Sequence, residues 1–172
     1  TRGPRPDRPE IGLRRLVAAF LRMAPDVAIV GEVRDREALP LLLTLSSGVT
    51  GFTTVHAGSA AQGLTRLRFI CQLAEEAAGL GPATLTTLVA EAVDVVVHCT
   101  RGPDGPRVTE VVAVEDLATG DTGRFTTTPL VVRPHPDRPL MWSGRVPDRL
   151  TARLAARGLD LAPILRATGG PR

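Results

Sequence analysis

The residues of this chain best suited to chemistry are an acid and an imidazole, Glu32 in the stretch VAIVGEVRD and His56 in GFTTVHAGS. Val27–Val30 is a short apolar run rich in β-branched residues, the pattern expected of a strand buried on both faces rather than of an amphipathic helix. Glu32 is the second residue after its end. Buried parallel strands of α/β proteins open their carboxyl ends onto the crevice where ligands bind, so an acid there stands where a metal ion or an attacking water could sit. The plain alternative is that an acid after a strand only returns the chain to solvent. Residues 51–55 read as a second short strand, ending in His56, Ala57 and Gly58. A single histidine in that place is either a polar end-cap or a ligand-contacting group. Helix, strand, helix and strand joined by short links argue for parallel pairing through crossover helices, which puts Glu32 and His56 at the same edge of one sheet.

Composition narrows the chemistry further. The chain has 172 residues, 43% hydrophobic and 23% charged, enough to bury a real core in one domain and unlike a disordered segment. All of its basic residues are Arg, and the absence of Lys excludes a Gly-x-x-x-x-Gly-Lys-Ser/Thr phosphate loop from these residues. A net charge of only +3 and 3% aromatic residues argue against direct nucleic-acid binding. No apolar run reaches the ~20 residues needed to span a bilayer, so no membrane insertion is expected and a cytoplasmic location is. Cys71 and Cys99 have no second Cys or His at metal-ligand spacing, and two reduced, partly buried thiols are expected.

The elements that must position Glu32 and His56 follow in order. Residues 1–10, rich in Pro and Arg, read as a linker. Leu13, Leu16, Val17, Phe20 and Met23 share one helical face, and Pro25 closes that helix before the first strand. A leucine-dense helix is expected over residues 37–45, stopping near Gly48. Ser59 is a suitable N-cap for a helix carrying Leu64, Leu67, Ile70 and Cys71, from which Arg66 and Arg68 project on different sides. A further helix to about residue 92 precedes an apolar strand over residues 93–99, a turn over 101–106 and an antiparallel return over 107–114. Residues 124–132 read as another strand, 133–146 as a loop, and two short helices are expected over 148–156 and 161–168. Residues 11–132 are thus expected to form the main α/β domain and 133–172 a loop and helical tail.

The stretches LRMAPDVAIVGEVRDREAL, SSGVTGFTTVHAGS, LTRL and EAVDVVVHCTRGPDGPRVTEVVAV, in that order and spacing, resemble the carboxyl-terminal half of the type II and type IV secretion and pilus-assembly ATPases. These are hexameric RecA-like motors, and the resemblance is greatest to the Flp (tight-adherence) pilus branch, the CpaF type. It implies a partial RecA-like P-loop NTPase fold and a role in powering pilus assembly or secretion, with ATP and Mg2+ as cofactors. It further implies a homo-hexamer working on an inner-membrane platform protein, peripheral at the inner face of the membrane. Val27–Val30 with Gly31 and Glu32 matches the family's atypical Walker B strand, giving Glu32 a role at magnesium and its water shell. His56 matches the His box near the γ-phosphate. Arg34 and Arg66 match arginines of these motifs, and Arg2 matches one of an upstream Arg-Pro segment, all suited to phosphate charge.

The sequence departs from that pattern at Ala24, where the family has Arg, at Val49 and Thr50, which replace a polar His-containing pair, and at Gly58 in place of Asn. The phosphate loop and the upstream acidic box of the family have no counterpart in these residues. The chain alone is therefore not expected to hydrolyse ATP. The competing expectation is a non-catalytic assembly module or truncated remnant of such an ATPase.

Overall fold

A computed structural model describes residues 12–116, 123–135 and 137–167. The linker expected over residues 1–10, Arg2 with it, lies outside the described residues. The chain folds as α1 (Leu13–Leu21), β1 (Val27–Val30), α2 (Ala38–Ser46), β2 (Thr50–Thr53), α3 (Ala60–Gln72), α4 (Pro82–Ala92), β3 (Val95–Gly102), β4 (Gly105–Val114), β5 (Thr127–Val132), β6 (Met141–Trp142), α5 (Asp148–Ala155) and α6 (Leu161–Ala167), with a 3-10 turn at Glu75–Ala77.

Two sheets result. β1 and β2 pair in parallel, Val27 opposite Thr50 and Val30 opposite Thr53, with α2 as the crossover. β3, β4, β5 and β6 form an antiparallel sheet in that order. The core lies among α2, α3 and α4, where Leu39, Leu41 and Leu42 meet Leu64, Leu67, Ile70, Leu85 and Val89. α2 tolerates Pro40 because the residue sits in the first turn, where its missing N–H would have no helical partner. Parallel pairing is close: a Cβ on Gly51 would stand 2.3 Å from Leu45 Cδ2 and 2.7 Å from the Ala28 carbonyl oxygen. Only glycine permits that approach.

Several expectations need correction. β1 is buried on one face, not two: Ala28 and Val30 turn inward, whereas Val27 and Ile29 are exposed, as is Phe52, which pairs with Ile29 across the strands. Among the described residues no element covers that face, so a run that is apolar at every position ends half exposed. On α1, Val17 is buried and Phe20 packs on the core, but Leu16 is exposed, as is Met23 just past the end of the helix. Cys71 is fully buried and Cys99 exposed, instead of both being partly buried. Residues 133–146 are not wholly loop, since Met141 and Trp142 pair with β5. The turn after β3 is shorter than expected, with Gly102 opposite Gly105.

The tail closes on the antiparallel sheet. Leu161 and Leu165 of α6, with Leu150 and Leu154 of α5, pack against Ala113, Leu130 and Trp142. Arg149 fastens α5 to the end of α4: its guanidinium donates to the carbonyls of Ala90 and, at 3.1 Å, Glu91, and pairs with Asp94 at 3.1 Å. A cation at a helix carboxyl end satisfies orphan carbonyls and opposes the helix dipole.

Candidate functional site

The loops that follow β1 and β2 are stitched together beyond the last ladder pair. Val33 N–H donates to the Thr54 carbonyl at 2.9 Å, and Thr54 Oγ1 donates to the Gly31 carbonyl at 2.6 Å. Val33 is buried and anchors the first loop in the core. Because the strands run in parallel and in register, both loops leave the sheet at one end. Glu32 and His56 are therefore delivered to a shared rim.

There the side chains meet. Glu32 Oε1 lies 2.9 Å from His56 Nε2, and Glu32 Oε2 lies 2.5 Å from an Arg34 guanidinium nitrogen. Glu32 is the sheltered member, 24% exposed against 84% for His56 and 74% for Arg34. The Arg34 hydrogen bond holds the Glu32 carboxyl below its ordinary range; burial opposes this, while the charges of Arg34, His56 and Arg66 add to it. Arg34 is itself steadied by Glu37, whose Oε1 accepts from the backbone N–H groups of Arg34 at 2.7 Å and Asp35 at 3.1 Å. Burial pushes the Glu37 carboxyl up, but these backbone donors outweigh it and its pKa falls.

Arg66 stands on α3 beside this rim rather than in it. It lines a groove of about 570 Å³ with His56, Gly58, Gln62, Thr65 and Phe69, and it makes no direct contact with Glu32. Arg68 points elsewhere: its guanidinium donates to Thr86 Oγ1 at 3.0 Å and to the Gly123 carbonyl at 2.9 Å, and lies over the Phe125 ring. Thus Glu32, His56 and Arg34 are brought together, Arg66 is adjacent, and Arg2 lies outside the described residues.

No cluster of three or more His, Cys, Asp or Glu side chains that could cage a metal occurs among the described residues. A lone carboxylate nevertheless fits magnesium, which keeps most of its waters and takes other ligands from nucleotide phosphates. Glu32 Oε1 suits that use, because it is shielded from solvent yet receives no aligned hydrogen bond, the His56 contact being one of distance and charge.

Comparison with known proteins points the same way as the rim. The family described as type II/IV secretion system protein matches residues 6–134. This chain belongs to that family. A probable conjugal transfer protein TrbB of Sinorhizobium fredii is 36% identical over 111 residues, covering 64% of this chain and 32% of the relative. The VirB11 protein of Agrobacterium fabrum is 37% identical over 83 residues, 48% of this chain and 24% of the relative. Among solved structures, the VirB11 ATPase of the Brucella suis type IV secretion system superposes with a TM-score of 0.56 at 27% identity, over 66% of this chain and 34% of that one. The chain spans about a third of the length of the TrbB and Brucella suis proteins, 32% and 34%, and about a quarter of the Agrobacterium VirB11 protein, 24%.

As a type II/IV secretion family member, the chain has the expected α/β, partial RecA-like core, with the parallel pair and the antiparallel sheet both present. No helix among the described residues is long and apolar enough to cross a membrane. The residues that hold the rim in place carry little signal in the sequence. Thr54 was legible only as part of a strand, and Glu37 only as a helix start. Gln62 could have been found: Ser59 and Gln62 have capping-box spacing, and Ser59 Oγ accepts from Gln62 N–H while Gln62 Oε1 accepts from Gly58 N–H, each at 3.1 Å.

Proposed function

We propose that the chain supplies the Walker B and His-box side of an ATP-driven motor subunit in a type II/IV secretion or pilus-assembly machine. The observation that carries this reading is the 2.9 Å approach of the Glu32 carboxylate to the His56 imidazole on the carboxyl rim of a parallel strand pair. In it Glu32 acts on magnesium and its water shell, His56 reads the γ-phosphate, and Arg34, Arg66 and Arg2 offset phosphate charge, with ATP and Mg2+ as cofactors. The Arg34 guanidinium keeps Glu32 ionised before nucleotide arrives. The subunit works as a hexamer at the inner face of the membrane against a platform protein. The names of the relatives favour the conjugal-transfer and VirB11 side of the family over the Flp, CpaF-type branch, which stands as the narrower alternative.

These residues alone lack a phosphate loop and leave Ile29 and Phe52 uncovered, so hydrolysis requires a complementing segment that supplies both. The same uncovered face supports a second reading, a non-catalytic assembly module whose role is contact. Transplantation separates them. Residues 12–132 would replace the corresponding segment of the Brucella suis VirB11 ATPase, and phosphate release would be followed. The motor reading expects turnover from the transplant and none from the 172-residue chain. A folded transplant that binds ATP without hydrolysing it, or turnover by the isolated chain, would overturn it.

A further inference from the structure

His98 and Glu110 belong to the antiparallel sheet and take no part in the rim, yet they are linked to it. Opposite residues in the β3–β4 ladder shift register between His98 and Cys99: His98 faces Glu110, Cys99 faces Val108, and Thr109 is the extra residue. Such a bulge re-aims the side chains beside it. This one is pinned from within. Thr109 Oγ1 donates to the His98 carbonyl at 3.2 Å and lies 2.7 Å from His98 Nδ1, an arrangement that suits the tautomer with its proton on Nδ1. The His98 side chain is 12% exposed, so this small network is nearly closed to solvent.

The bulge aims Glu110 at the start of α3. Glu110 Oε1 accepts from Ala60 N–H at 2.7 Å, 50 residues away in sequence, and stands 3.9 Å from His98 Nδ1. Ala60 opens α3, and a carboxylate there satisfies an orphan donor and complements the positive helix end. Ser59 Oγ already holds Gln62 N–H. With Ala60 N–H taken as well, two donors at this helix end serve the protein's own side chains. Residues 55–59, the span that carries His56, are consequently fixed at both ends. Thr54 ties the near end to β1, and Glu110 ties the far end to β4.

We propose that Glu110 is the positioning residue for His56, holding the imidazole at Glu32 from the other sheet, with His98 and Thr109 aiming the carboxylate. This rests on the role given to His56 above, and the two can fail separately. The test uses magnetic resonance of the 172-residue chain without nucleotide, comparing wild type with Glu110→Gln and Glu110→Ala. Glu110→Ala should move the Ala60 amide and the His56 ring signals and speed amide exchange over residues 58–62 by roughly tenfold, leaving α5 and α6 as they were. Glu110→Gln, which keeps an acceptor oxygen and loses the charge, should restore part of both signals. Should Glu110→Ala fail to fold, the same shifts read in Glu110→Gln decide. His56 ring signals at their wild-type position in a folded variant would overturn the proposal, as would amide changes spread evenly through α4 and β5. If His56 moves as expected but His56→Ala leaves hydrolysis by the transplant unchanged, the positioning stands and the proposed function fails.

Discussion

The two sheets of this chain finish their surfaces differently. In the antiparallel sheet Val112, Ala113, Val114 and Leu130 are buried, and the tail helices close over Leu130 with Leu161 and Leu165. In the parallel pair the cross-strand partners Ile29 and Phe52 are 73% and 65% exposed, although their inward neighbours Ala28 and Val30 pack on the core. Cover separates the β1–β2 pair from β4 and β5, although β3 at the edge of the antiparallel sheet also leaves Val95 and Val97 exposed. The uncovered pair carries Glu32, whose Oε2 pairs with Arg34 while Oε1 has no hydrogen-bond partner, whereas on β4 the Glu110 Oε1 accepts from Ala60 N–H.

Removing one apolar side chain from each sheet should have unequal effects. Leu130→Ala should cost about 2–5 kcal/mol, the range for truncating a buried leucine, whereas Ile29→Ala should stay within about 0.5 kcal/mol in the isolated chain. Denaturant midpoints measure both. Equal losses would mean that the outer face of β1 is covered in solution. Gly51→Ala comes next, at about 1–3 kcal/mol, because its methyl would press on Leu45 and the Ala28 carbonyl; it should also part β2 from β1 and shift the His56 signals.

A smaller effect concerns pH. The Glu32 carboxyl is depressed in the folded chain, chiefly by the Arg34 hydrogen bond. A group depressed on folding contributes stability above its unfolded pKa and loses that contribution as pH falls through the folded one. The gap in denaturant midpoint between wild type and Arg34→Ala should therefore be full at neutral pH and close as pH drops below the ordinary glutamate value of 4.5. A gap that persists unchanged in acid would place the Arg34 contribution elsewhere.

Much of the rim was readable in the residues. A β-branched run ending in Gly and Glu, a second run ending in His, and one helix-length crossover between them suffice to bring Glu32 and His56 to one edge, since parallel strands share their carboxyl side. What could not be read was cover: VAIV has the same pattern whether one face or both are packed. The ties that hold the rim were also hidden, because Glu110 reaches Ala60 across 50 residues and only after Thr109 disrupts the register. Met141 and Trp142 escaped notice as a strand because two residues among prolines carry no periodicity.

The proposed function requires Glu32 to act at the nucleotide rather than to serve as a surface acid. Glu32→Gln in the transplanted VirB11 ATPase, with turnover measured at saturating magnesium ATP, decides between the two. kcat should fall roughly 10²–10³-fold with KM for ATP little changed. A Glu32→Gln transplant that turns over ATP as fast as its parent would contradict it.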